Sequence, residues 1–151
     1  MKISIFTIAD TEDDGKPTQT AACGVALVVF DKHKPRYRVA GYYLHDSSVV
    51  RASLQAARIG ILMIKKQYKN IPIALNVNLN SIIEMIENND PSIMGSENHL
   101  GKALIDLYQD YPNLIMGVPD PNDRYIGMAY EAASKARHEQ ANSDTGTLVL
   151  K

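Results

Sequence analysis

SIFTIADTEDDG, residues 4–15, sets a short apolar run against a burst of acid. Ile3 to Ile8 is rich in β-branched and aromatic residues and predicts a strand. Asp10, Glu12, Asp13 and Asp14 follow, then Gly15 and Pro17, so residues 9–20 are expected to form a solvated loop. Strands that deliver carboxylates to a metal also look like this. Asp10 lies two residues beyond Ile8 and would face the same way on a continuing strand, which makes it the one weak metal-ligand candidate of the run.

Downstream, ACGVALVVFD (22–31) is nearly continuous in apolar residues and predicts a central strand. RYRVAGYYLH (36–45) alternates as a third strand. The short KHKP turn between them implies an antiparallel hairpin. The period then changes: Val50, Leu54, Ala57, Ile61 and Ile64 recur at helical spacing. Ser47 or Ser48 can cap this helix, and Lys65 and Lys66 suit its negative end. IPIALNVN (71–78) predicts a fourth strand reached by a parallel crossover. Asn80 is expected to cap a helix carrying Ile82, Ile83, Met85 and Ile86. Ser96 is expected to cap one carrying Leu100, Ala103, Leu104 and Leu107. NLIMGV (113–118) predicts a fifth strand, and Ile126, Ala129, Tyr130 and Ala133 give a last helix its apolar face. The order β-β-β-α-β-α-(α)-β-α is α/β, a mixed five-stranded sheet flanked by helices. One domain is expected over 1–141, with 142–151 a flexible tail.

Composition bounds the function. At 151 residues, 45% hydrophobic and 22% charged, the chain fits one globular domain. A formal charge of −1 supplies no global pull toward nucleic acid or membrane, so such binding needs a local basic patch. The single Cys23 excludes an internal disulfide and a cysteine zinc cluster, and its apolar strand predicts a buried structural thiol. His33, His45, His99 and His138 have no metal-ligand spacing. No signal-peptide pattern or membrane-length apolar run occurs, and a cytoplasmic domain is expected.

The order and several phrases together resemble the ribonuclease H family over roughly residues 2–140. IFT at 5–7 is similar to the end of the family's first strand, GVAL at 24–27 to its second, and VAGYY at 39–43 to its third. VVRASLQAARIGI at 49–61 resembles its first helix, and NDRYIGMAYEAA at 122–133 its last. The resemblance implies two-metal phosphodiester hydrolysis, in which four carboxylates hold two Mg²⁺ ions about 4 Å apart. The positions it assigns to those carboxylates hold Ile8, Ser53, Asn78 (Asn76 in the other register) and Ile126. The loop that should supply a histidine, MGVPDPN, has none. Isoleucine cannot ligate a metal, and asparagine is a neutral, weaker ligand for a hard cation. A ribonuclease H-like domain without that catalysis, and hence without Mg²⁺, is therefore expected.

Three classes of function stay open. A nucleic-acid-binding domain would use the stripe Arg51, Gln55, Arg58 and Lys65, with Arg36 and Arg38 of a basic hairpin cluster that includes Lys32, His33 and Lys34. The same residues also suit an ordinary solvent face and a charged hairpin tip. Asn76, Asn78 and Asn80 could contact a backbone or simply end a strand, and Tyr42 or Tyr43 could stack on a base. A structural or protein-interaction module, such as a homo-oligomer, is the second class. The third is a divergent nuclease with ligands relocated to Asp10 and neighbours such as Glu84 or Asp123. A small stripped domain would suit a virus or mobile element.

Overall fold

The computed structural model describes residues 1–12, 19–32 and 34–149. Asp13, Asp14, Gly15, Pro17 and His33, on which part of the sequence reading fell, lie outside them. Strand β1 is Lys2–Thr11, β2 Gln19–Phe30 and β3 Arg36–Ser47. Helix α1 (Val49–Leu62) leads through a 3-10 turn, Lys66–Tyr68, to β4 (Ile73–Asn76). Helix α2 (Asn80–Asn88), a 3-10 stretch Pro91–Glu97 and α3 (Asn98–Gln109) precede β5 (Leu114–Gly117) and α4 (Arg124–Glu139). Two short strands follow, β6 (Ser143–Asp144) and β7 (Leu148–Val149).

The sheet order is β5-β4-β1-β2-β3, with β6 and β7 both on the outer edge of β3. β1, β2 and β3 form an antiparallel meander, while β4 and β5 add in parallel through crossovers, as the alternation of elements requires. The mixed α/β sheet expected from the sequence is thus observed.

Strand alternation sends Ile3, Ile5, Val25 and Val29 to one face, where α1 buries Leu54, Ala57 and Ile61 against them. Phe6, Ala26, Val28 and Val39 go to the other face, beneath Ile126 and Ala129 of α4. The approach of α4 is set by two strand glycines. A Cβ at Gly24 would run into the carbonyl oxygen of Ala129, and one at Gly41 into that of Ala132.

Several boundaries differ from expectation. β1 runs on through Thr11, so Asp10 is a strand residue opposite Ala22, not part of a loop. α1 ends at Leu62, which leaves Lys65 and Lys66 beyond it rather than at its C-terminal turn. Ser48 does cap α1, accepting a hydrogen bond from the Arg51 amide at 3.1 Å. Asn80 is instead the first residue of α2, whose cap Leu79 has no side-chain bond to give. Ser96 lies inside the 3-10 stretch, and Glu97 precedes α3. The segment expected as a loose tail is paired. Asn142 Oδ1 accepts from the Tyr43 amide at 2.8 Å, and Thr145 exchanges bonds with Val39 on both backbone groups. The backbone edge of β3 would otherwise lack partners there.

Candidate functional site

The carboxyl ends of β1 and β4 lie side by side. Their last rung pairs Phe6 with Asn76, so Ile8 and Asn78 fall at matching positions two residues further on. Thr7 Oγ1 donates to Asn76 O at 2.9 Å, and Asn76 Nδ2 donates back to Ile5 O at 3.1 Å, stitching the two strands. Asn76 is therefore a cross-strand clasp, and its amide is used locally.

The four positions that the resemblance assigns to carboxylates divide into two pairs. Asn78 Nδ2 donates to Ser53 Oγ at 3.0 Å, and the fully buried Ser53 hydroxyl donates to Val49 O at 2.7 Å, one turn back in α1. Asn78 Oδ1 is buried with no donor among the described residues. Ile8 and Ile126 belong to one apolar cluster with Phe6 and Ala129. One pair is neutral and polar, the other hydrocarbon.

Asp10 is on the same face as Ile8, as alternation required, but it is not solvated. Arg137, in the last turns of α4, donates from Nε to Asp10 Oδ2 at 2.8 Å. The side chains are only 20% (Arg137) and 8% (Asp10) exposed, so the pair is largely removed from water. The acid expected near the start of a solvated loop is thus held by a guanidinium 127 residues away. Of the relocation candidates, Asp123 caps α4, accepting from the Tyr125 amide at 2.8 Å, and Glu84 is on the exposed side of α2. Among the described residues, no group of three or more His, Cys, Asp or Glu is placed to hold a metal ion. An isoleucine pair, a serine–asparagine pair and a carboxylate already neutralised do not fit two Mg²⁺ ions.

The basic candidates separate. Arg51 is tied to Glu97, its Nη2 3.0 Å from Oε1 and its Nε bonding both carboxylate oxygens, so it leaves the supposed stripe. Gln55 is half-buried and Arg58 exposed on α1. Arg36, Arg38 and Lys65 come together instead, lining one cleft with Tyr68 at the opposite end of the sheet. Arg36 pairs with Asp31 at 3.1 Å, and Arg38 grips Asp144, with Nε 3.0 Å from Oδ1 and 3.1 Å from Oδ2. Asp144 is consequently held below the usual carboxylate range, chiefly by the Arg38 hydrogen bonds. The Tyr68 phenol is lowered by hydrogen bonding to Gln67, then to Arg36, with the charges of Arg36 and Lys65 adding to the effect. Residues 47–83 contain Arg51, Arg58, Lys65, Lys66 and Lys69 and no Asp or Glu, a local positive balance that the near-zero total hides.

Tyr43 meets His45 edge-on, with ring centroids 6.4 Å apart. Cys23 is buried, and its burial pushes the thiol up to about 12. No helix of the described residues is long and apolar enough to cross a membrane.

No protein-family model matches the chain, and no curated protein does. Solved structures do. An RNase H1 isolated from compost superposes with a TM-score of 0.70 at 13% identity, covering 92% of this chain and 97% of that one. The RNase H1 of the halophilic archaeon Halobacterium salinarum gives 0.66 at 12%, covering 92% and 99%. The compost enzyme in complex with an RNA/DNA hybrid gives 0.55 at 17%, covering 89% and 98%. The foamy viral protease-reverse transcriptase in complex with dsDNA gives 0.60 at 13%, covering 91% and 94%. This chain therefore has the ribonuclease H-like fold.

Proposed function

We propose, with that fold as the premise, that the domain binds nucleic acid and does not carry out two-metal hydrolysis. One observation carries the reading: at the joined ends of β1 and β4, Ile8 and Ile126 share an apolar cluster where the fold's chemistry would need charged ligands. Asp10 adds no usable charge, because Arg137 already neutralises it. Similarly folded proteins are seen with an RNA/DNA hybrid and with dsDNA, which supports nucleic acid as the partner class. Arg58, Lys65, Lys66 and Lys69 are exposed and make no ion pair among the described residues, leaving them for phosphates.

The test is fluorescence anisotropy with single-stranded DNA, duplex DNA, RNA and an RNA–DNA hybrid. It is run at low and high salt, with and without Mg²⁺, and the recovered strands are checked on a gel. About four phosphate contacts would weaken duplex binding about a hundredfold between 50 and 200 mM salt. Intact strands with that slope support the proposal. No binding at low salt overturns it. Mg²⁺-dependent cleavage that disappears in Asp10→Asn replaces it with the divergent-nuclease reading.

Self-association is the second reading, favoured by β5. On its outer side this edge strand pairs with no strand among the described residues, and Ile115 on it is 73% exposed, with Val118 exposed just beyond. A discrete dimer in light scattering that Ile115→Lys converts to monomer would support it. A monomer at all concentrations would remove it.

A further inference from the structure

The cleft at the far end of the sheet is built by a simple extension of strand register. Ile3 pairs with Val29 and Val29 with Arg36, and two residues on, Ile5 pairs with Leu27 and Leu27 with Arg38. All these residues share the face that α1 covers, so two apolar rows each end in a cation. The chain leaving α1 closes the other side with Met63, Lys65 and Tyr68. The volume of the cleft is about 70 Å³. At 10–15 Å³ per water-sized group, that is room for about five such groups, the size of a phosphate or one planar ring.

Its electrostatics favour an anion. Asp31 and Asp144 neutralise Arg36 and Arg38, but Lys65 has no carboxylate among the described residues, and Lys66 and Lys69 lie on the next turn. Tyr68 adds an aromatic ring beside these charges, a combination that suits a charged group attached to a flat, weakly polar one.

We propose that this cleft binds a single nucleoside monophosphate unit, whose phosphate fills the small volume at Lys65 beside Arg36 and whose base or sugar lies across Tyr68 at the cleft's mouth. The choice of a nucleotide rests on the nucleic-acid reading above. The site is separate from the ends of β1 and β4, which lie at the other end of the same strands. A strand end or a displaced nucleotide could enter, because the cleft opens at the surface beside exposed Lys65.

The experiment is a titration of the ¹⁵N-labelled protein with AMP, adenosine and inorganic phosphate, followed by amide chemical shifts. AMP is expected to move the signals of Leu27, Val29, Arg36, Lys65 and Tyr68 together. Adenosine and phosphate should move the same signals more weakly. Lys65→Glu and Tyr68→Leu should each weaken AMP binding about tenfold or more while keeping native signal dispersion. Shifts that are absent, scattered, or unchanged in both variants overturn the proposal. Phosphate binding as tightly as AMP also overturns it, in favour of a simple anion site. Oligonucleotide anisotropy on the same samples separates the two readings. Oligonucleotide binding without AMP shifts in the cleft removes only this inference. AMP in the cleft without oligonucleotide binding removes only the nucleic-acid function.

Discussion

Arg137 Nε donates to Asp10 Oδ2 at 2.8 Å, tying the end of the first strand to the end of the last helix. The carboxylate thereby has its counter-charge from the same chain. The pair is partly desolvated, so each member depends on the other. Asp10→Ala should destabilise the domain by about 2–4 kcal/mol, because it strands a guanidinium that is only 20% exposed. The double variant Asp10→Ala/Arg137→Ala should lose less than the sum of the two single losses. Urea denaturation of the four proteins measures this coupling. Additive losses would mean that the pair is not a unit.

If Ile8, Asn78 and Ile126 truly occupy ligand positions, carboxylates placed there should recreate a metal site. Ile8→Asp/Asn78→Asp/Ile126→Asp should be several kcal/mol less stable in EDTA, since it brings charges together in a site that is now partly apolar. Millimolar Mn²⁺ should recover much of that loss by binding only the folded form. Thermal melts with EDTA and with Mn²⁺ test this, alongside the unaltered protein, which should show no Mn²⁺-dependent shift. Equal melting temperatures for the triple variant in both conditions would place the ligand positions elsewhere.

The close seat of α4 makes a different prediction. A Cβ at Gly41 meets the Ala132 carbonyl and then the Ala136 Cβ, backbone and methyl that cannot rotate away. Gly41→Ala should therefore cost about 1–3 kcal/mol through overpacking. Gly127 lies in α4 with open space around it, so Gly127→Ala should stabilise by up to about 1 kcal/mol through helix propensity. Opposite shifts in the urea midpoint are expected, and a neutral Gly41→Ala would show that the helix can lift.

Local periodicity made the order of elements legible. The alternation in residues 36–45 and the helical recurrence from Val50 to Ile61 each depend on nearby neighbours, and both elements appeared. The misses were decided at a distance. Asp10 read as a loop acid because Glu12, Asp13, Asp14, Gly15 and Pro17 follow it; its partner lies in the last helix. The Arg51–Arg58–Lys65 stripe assumed a helix that reaches Lys65, but the helix stops at Leu62 and Glu97 captures Arg51. Within the candidate site, the non-acidic residues at 8, 53, 78 and 126 were visible one by one, whereas the Ser53–Asn78 bond was not, because it joins a helix to the segment just beyond a crossover strand. The basic cleft was half visible: its cations were named, but only the register of β1, β2 and β3 brings Arg36 and Arg38 to the end of α1.

Residues 142–149 offer the last test, because what holds them is polar. Leu148 and Val149 remain exposed, so burial contributes little, and the strap relies on Asn142, Thr145 and the Arg38–Asp144 grip. Asp144 is acidified in the folded protein, mainly by Arg38. A depressed carboxyl pKa contributes attachment that is complete above the unfolded Asp value, and the contribution fades as pH falls through the lower folded value. The strap should therefore protect the Val39 and Tyr43 amides at neutral pH and release them in acid, below the ordinary aspartate range. Asp144→Asn should show the released pattern already at pH 7, with only a small change in global stability, since both partners are over a third exposed. Hydrogen exchange at those two amides between pH 7 and acid, corrected for intrinsic rates, measures it. Equal protection in Asp144→Asn at pH 7 would mean that the bonds of Asn142 and Thr145 hold the strap without the Arg38–Asp144 pair.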